Sequence, residues 1–139
     1  MDKALNYLSL ARKAGRAELG EEPVGAAARD LQAHLILVAS DASDHTWRRA
    51  KSFAAGTNQQ CVRLEFTKDA LGMAIGRTAL AVAAITDPAL ALALVESLTP
   101  TAQTEEAKQV LSEKVRRVRQ RATEAKAHQR NRRSGMKKK

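Results

Sequence analysis

Two unbroken apolar runs constrain this chain most. Residues 34–39 read HLILVA and residues 80–85 read LAVAAI. A strand with one wet face alternates apolar and polar side chains. A run without alternation predicts a strand covered on both faces. Both runs are therefore expected near the middle of a sheet, with helices packed above and below it.

The segments between them carry helix signals. Leu5, Leu8, Ala11 and Ala14 have helical spacing, and Gly15 ends that run. Residues 16–19 form a short connector or strand. Gly20 opens a second helix, with Glu21, Glu22 and Pro23 in its first turn, where carboxylates suit the helix dipole and proline loses no hydrogen bond. It is expected to reach about Asp30. Cap residues in SDASDHT precede a helix over about 43–55, and Gly56, Thr57 and Asn58 break it. Residues 61–64 are a short strand. Thr67 caps a helix whose apolar side is Leu71, Ala74 and Ile75. Thr86, Asp87 and Pro88 start another helix, which runs through Leu98.

Charge divides the chain at Thr99 and Pro100. Residues 1–99 contain 11 Lys and Arg against 11 Asp and Glu, whereas residues 100–139 contain 13 against 4. The whole formal excess of +9 lies in the last forty residues. A neutral body with a cationic extension points to a polyanion partner. Residues 1–99 are read as one domain and residues 100–139 as a basic tail. Within the tail a helix is expected over about 104–126, beginning after Thr104. Its narrow apolar seam is Leu111, Val115, Val118, Ala122 and Ala125. The remainder, AHQRNRRSGMKKK, buries nothing and is expected to be disordered when free. The N-terminal segment reads as a helix and not a signal peptide. No apolar run approaches the roughly 20 residues of a membrane span. A single cysteine, Cys61, excludes an internal disulfide and fits a reducing cytoplasm.

Four strings occur in order with short spacers: LSLARKAGRAELGEE, HLILVASDAS, LGMAIG and AVAAITDPALA. Over about residues 3–97 the chain resembles the YlxQ-type bacterial branch of the ribosomal L-seven-Ae superfamily, a kink-turn-binding and pelota-like group. The resemblance implies a three-layer α/β/α sandwich with a small mixed four-stranded sheet. It implies RNA binding, no cofactor and no catalysis. It also implies an RNA-facing edge built from three segments. These are the start of the second helix at Gly20, Glu21 and Glu22, the turn at Ser40 and Asp41, and the loop of Arg77, Thr78 and Ala79. Kink-turn binders of this group carry Asn or Lys, then Glu or Gln, and later Lys, where this chain has Glu22, Pro23 and Ala26. Two carboxylates at that helix end oppose phosphate, so the tail is expected to supply much of the affinity.

Further RNA contacts are expected from Arg12, Lys13 and Arg16, although such a cluster also complements the carbonyl end of a helix. In the tail the candidates are Arg116, Arg117, Arg119, Arg121, Arg130, Arg132 and Arg133. Arg48, Arg49 and Lys51 read as a solvated helix face, and Trp47 as a packing residue. Asp41, Asp44 and His45 read as caps and not as metal ligands. Cys61 has no His partner near in sequence, and LGMAIGRT lacks the lysine and spacing of a phosphate-binding loop. Nothing assembles into a catalytic set, and no metal or cofactor is expected.

The residues and the resemblance together lead to the expectation of a non-enzymatic, cytoplasmic RNA-binding protein, a monomer when free, that docks structured, ribosomal-type RNA and associates with ribosomes, not membranes. The alternative is a protein-interaction adaptor in the transcription or translation machinery, with the tail as a nonspecific localiser.

Overall fold

The computed structural model describes residues 2–137, with side chains described for residues 2–128. Ten elements follow in order: α1 (Lys3–Lys13), β1 (Ala17–Leu19), α2 (Glu21–Arg29), β2 (Leu35–Val38), α3 (Asp44–Ala54), β3 (Gln60–Arg63), α4 (Lys68–Ala74), β4 (Val82–Ile85), α5 (Pro88–Glu96) and α6 (Ala102–Lys137). The four strands make one sheet in the order β1-β4-β2-β3. β4 pairs antiparallel with both β1 and β2, and β2 pairs parallel with β3. The sheet is therefore mixed, and the two continuous apolar runs occupy its centre as their composition requires. Every residue of β2 and β4 is buried.

Both faces are covered. α2 and α3 pack on one face. α1, α5 and the start of α6 pack on the other, with α4 against α1. Local chemistry sets the helix starts. Asp2, Ser43, Thr67 and Asp87 each accept a backbone N–H of the first turn that follows, satisfying donors with no partner inside the helix.

The last helix differs from the sequence reading at both ends. It begins at Ala102, because the hydroxyls of Thr101 and Thr104 each accept the other's backbone N–H, at 3.1 and 2.6 Å. Thr104 is thus inside the first turn and does not open the helix. The helix runs on to Lys137 and does not stop near Lys126. Residues 102–134 contain neither Gly nor Pro and are rich in Ala, Gln, Glu, Lys and Arg, all strong helix formers.

The same helix is part of the body at its start. Ala107, Leu111 and Val115 are buried, Leu111 completely. The seam then leaves the protein: Val118 is 53% exposed, and Ala122 and Ala125 are exposed.

Candidate nucleic-acid interface

The sheet brings the three expected segments to one end. β1 ends there, and Gly20 N donates to Val82 O at 2.9 Å. β2 ends there too, and Ala39 N donates to Ala81 O at 2.9 Å. The loop of Arg77, Thr78 and Ala79 leads directly into Leu80, whose N–H donates to Lys68 O at 2.9 Å. All three thus converge on residues 80–82, the start of β4.

Each segment has a fixed support. Gly20 caps α2 at φ +97°, a region that favours glycine. Ser40 N donates to Phe66 O, and Lys68 N donates to Asp41 Oδ1 at 2.8 Å, so the turn after β2 is tied to the start of α4. Arg63 donates to Ala42 O at 3.0 Å and stands 5.4 Å from the centre of the Trp47 ring, with Lys51 Nζ at 5.1 Å. Cations already occupy this aromatic surface, as a packing role for Trp47 requires. Sequence reasoning missed Arg63, because its partners lie 21 and 16 residues earlier and no local motif joins them.

The third support is Gly72. Arg77 N donates to Gly72 O at 2.8 Å, and the chain reverses at Gly76, φ +73°. A Cβ on Gly72 would lie 2.7 Å from both Ala79 N and Ala79 Cα. The LGMAIG string therefore acts through contact. Its first glycine lets the loop backbone lie against α4, and its second turns the chain.

The charges at this end are not those of a free acidic patch. Glu21 accepts a hydrogen bond from Thr46 Oγ1 at 3.1 Å and pairs with Arg49 Nε at 3.6 Å. It links α2 to α3 and leaves Glu22 as the exposed carboxylate of the first turn. Arg77, Thr78 and Ala79 are exposed, and Ser40 is half-buried.

Arg12, Lys13 and Arg16 are exposed at the other end of the sheet. Thr86 N donates to Arg16 O at 2.8 Å, and β1 separates this cluster from Gly20. The arginines of α6 whose side chains are described, Arg116, Arg117, Arg119 and Arg121, do not join the loop edge either. α6 starts beside Leu64 and Glu65 and crosses the body towards the Arg16 end, where Val115, Val118 and Arg119 line a cleft with Asp87, Pro88 and Ala89. Arg116 and Arg117 both pair with Glu113. Arg119 and Arg121 are exposed and form no ion pair among the described residues. The side chains of Arg130, Arg132 and Arg133 lie outside the described residues.

The docking of α6 contains one titratable contact, Lys114 Nζ to His34 Nδ1 at 3.1 Å. An ammonium can only donate, so this ring nitrogen is the unprotonated acceptor. Burial lowers the pKa of both groups. Lys114 lowers His34 further, and Asp87 partly opposes that. With its pKa below the ordinary 6.5, folded His34 binds a proton less readily than the unfolded chain does. Stability is then insensitive to this group above the usual histidine range and falls as pH drops through it. The melting temperature is expected to fall between about pH 7.5 and 5.5, and more than in His34→Gln, whose neutral amide can still accept from Lys114. Equal falls in the two proteins would remove His34 from the linkage.

The described residues offer little for other chemistry. Burial pushes the Cys61 thiol up to about 12, so it is almost wholly protonated at neutral pH. Among the described residues, no group of three or more His, Cys, Asp or Glu could hold a metal ion. No described helix is long and apolar enough to cross a membrane.

Comparison with known proteins finds relatives in sequence and in fold. No protein-family model matches the chain. The RNA-binding protein YlxQ of Enterococcus faecium is 33% identical over 75 residues, which cover 54% of this chain and 72% of that protein. A Bacillus halodurans protein of unknown function superposes with a TM-score of 0.64 at 30% identity, covering 70% of this chain and 97% of that one. The Giardia lamblia 15.5kD RNA binding protein shares the fold, with a TM-score of 0.60 over 78% of this chain and 87% of that one, at 18% identity. Fold and strand order define a three-layer α/β/α sandwich with a mixed four-stranded sheet. Within that class, the chain belongs to the YlxQ family.

Proposed function

We propose that this chain is a non-enzymatic RNA-binding protein that docks structured, kink-turn-like RNA, of ribosomal type, through the loop edge. The basic residues of α6 add phosphate contacts. The observation that carries this reading is the convergence of Gly20, Ser40 and Arg77 on the start of β4, in a chain whose relative is named an RNA-binding protein. Irregular RNA is recognised by shape and by unstacked bases, which suits a rigid edge of three short segments. An exposed Arg77 on a loop held against α4 can donate to phosphate or to a base edge. A reducing, cytoplasmic setting suits the single protonated thiol.

An adaptor would need an acidic start to α2 on which a basic partner could dock. Glu21 is already engaged with Thr46 and Arg49, which leaves Glu22 as the exposed acid of that turn.

The test compares two labelled hairpins of equal length, one with an asymmetric internal loop and one fully paired. The full chain is expected to prefer the irregular hairpin by at least about tenfold, the worth of one charge-assisted hydrogen bond. Arg77→Ala is expected to erase most of that preference. Equal affinity for both hairpins would leave the loop edge without a role in recognition.

A further inference from the structure

The two ends of the sandwich differ in charge, and the even balance of residues 1–99 conceals it. The loop end carries Glu22, Asp41, Asp44, Glu65 and Asp69 against Lys68, Arg77, Arg48 on the Asp44 turn and the already engaged Arg63. The opposite end carries Arg12, Lys13 and Arg16, which form no ion pair among the described residues. Of the carboxylates near it, Asp87 accepts Leu90 N at the start of α5. Asp30 and Glu18 flank Arg16.

Topology then gathers more cations at that opposite end. α1 and α6 both pack on α5, one to each side in a single layer. α1 runs towards the end where Arg16 meets Thr86, and α6 runs the same way, from Thr104 beside Leu64 to Lys114 beside His34. Both helices deliver their basic residues to one end, with the first turn of α5 between them. Arg119 lies against that turn, and Arg121 follows where the helix leaves the body.

We infer that this end is a second RNA site, which grips the phosphodiester backbone without reading sequence and holds a different RNA segment from the loop edge. It rests on the RNA-binding reading above. Its ligand chemistry follows from the groups present: exposed guanidinium and ammonium side chains at the end of α1 and midway along α6, with no aromatic platform and no enclosed pocket among the described residues. Such a surface neutralises phosphates and releases counterions. The span of α6 from Thr104 to Arg119 is about 22 Å at 1.5 Å per residue. That exceeds two Debye lengths of about 8 Å at physiological salt, so phosphate at one end does not screen the other. The chain is thereby a bridge between two RNA segments.

The test uses the full chain, an irregular hairpin carrying a donor dye and a short plain duplex carrying an acceptor, mixed in equal amounts at physiological salt. Energy transfer between the two RNAs is expected only when protein is present. A variant with Arg12→Gln, Lys13→Gln, Arg16→Gln, Arg119→Gln and Arg121→Gln is expected to lose that transfer and to bind the duplex at least tenfold more weakly. All five side chains are exposed, and a melting curve matching the parent's confirms that the variant is folded. Displacement of the duplex by one equivalent of hairpin would overturn the second site, as would undiminished duplex binding by the variant. Duplex binding that the variant loses, with no preference for the irregular hairpin, would sustain the second site and sink the loop edge. Binding of neither RNA would overturn both.

Discussion

Gly72→Ala is expected to lower stability by about 1–3 kcal/mol, although alanine is the better helix former by roughly 1 kcal/mol. At an exposed helical position the propensity term would win, and the substitution would stabilise. Here the new methyl meets backbone atoms, Ala79 N and Cα at 2.7 Å and Arg77 O at 2.8 Å. Backbone cannot rotate away as the end of a flexible side chain can. The loop of Arg77, Thr78 and Ala79 has to lift off α4, and the bond from Arg77 N to Gly72 O opens. Hydrogen exchange should show this as lost protection at the Arg77 amide, together with a melting temperature lower by several degrees. Preference for the irregular hairpin should fall as well, because Arg77 loses its support. A variant as stable as the parent, with that amide still protected, would mean that the loop tolerates the methyl.

Truncation of the last helix is expected to have two very different outcomes. A chain ending at Gln120 keeps Ala107, Leu111 and Val115 in the core and should melt close to the full chain. A chain ending at Pro100 loses all three, together with the Thr101 and Thr104 cap. Loss of one buried leucine alone costs about 2–5 kcal/mol, a large share of a total stability of roughly 5–15 kcal/mol. The shorter chain should therefore be largely unfolded or aggregated at room temperature. A cooperative melt near that of the full chain, in a protein ending at Pro100, would show that α6 is dispensable for the body. Removing residues 100–139 as a unit is accordingly the wrong way to isolate the cationic extension, since half of the helix holds the fold.

The fold was legible wherever local chemistry dictates structure. HLILVA and LAVAAI became the central strands β2 and β4, and Ser43, Thr67 and Asp87 cap the helices that follow them. Long-range pairing was not legible. The seam of Leu111 and Val115 showed that α6 has an apolar side, but not that α5 and β3 receive it. The contact of Lys114 with His34 joins residues 80 apart in sequence. The candidate site shows the same division. Gly20, Ser40 and Arg77 could be placed at one edge by resemblance, whereas Gly72 and Arg63 act through approaches that spacing does not reveal. LSLARKAGRAELGEE reads as a single motif, yet β1 carries the chain across the sheet between Arg16 and Gly20. The charge balance of residues 1–99 misled for a related reason: a sum along the chain does not see which end of the sheet each charge reaches.

The most direct measurement is the salt dependence of affinity for a single RNA that joins the irregular loop to a duplex arm long enough to reach α6, taken by fluorescence anisotropy on the full chain and on the chain ending at Gln120. The shorter protein lacks eight lysines and arginines, Arg121 being the first. Each cation that neutralises a phosphate adds about 0.7–0.9 to the slope of log affinity against log salt, over roughly 50 to 200 mM. The full chain should bind with a steep slope, and truncation should flatten it by about 2–5, equivalent to several lost phosphate contacts. Superposable slopes, or no binding by the full chain in dilute salt, would contradict the picture of a protein that holds RNA through a cationic helix and one edge of a folded sandwich.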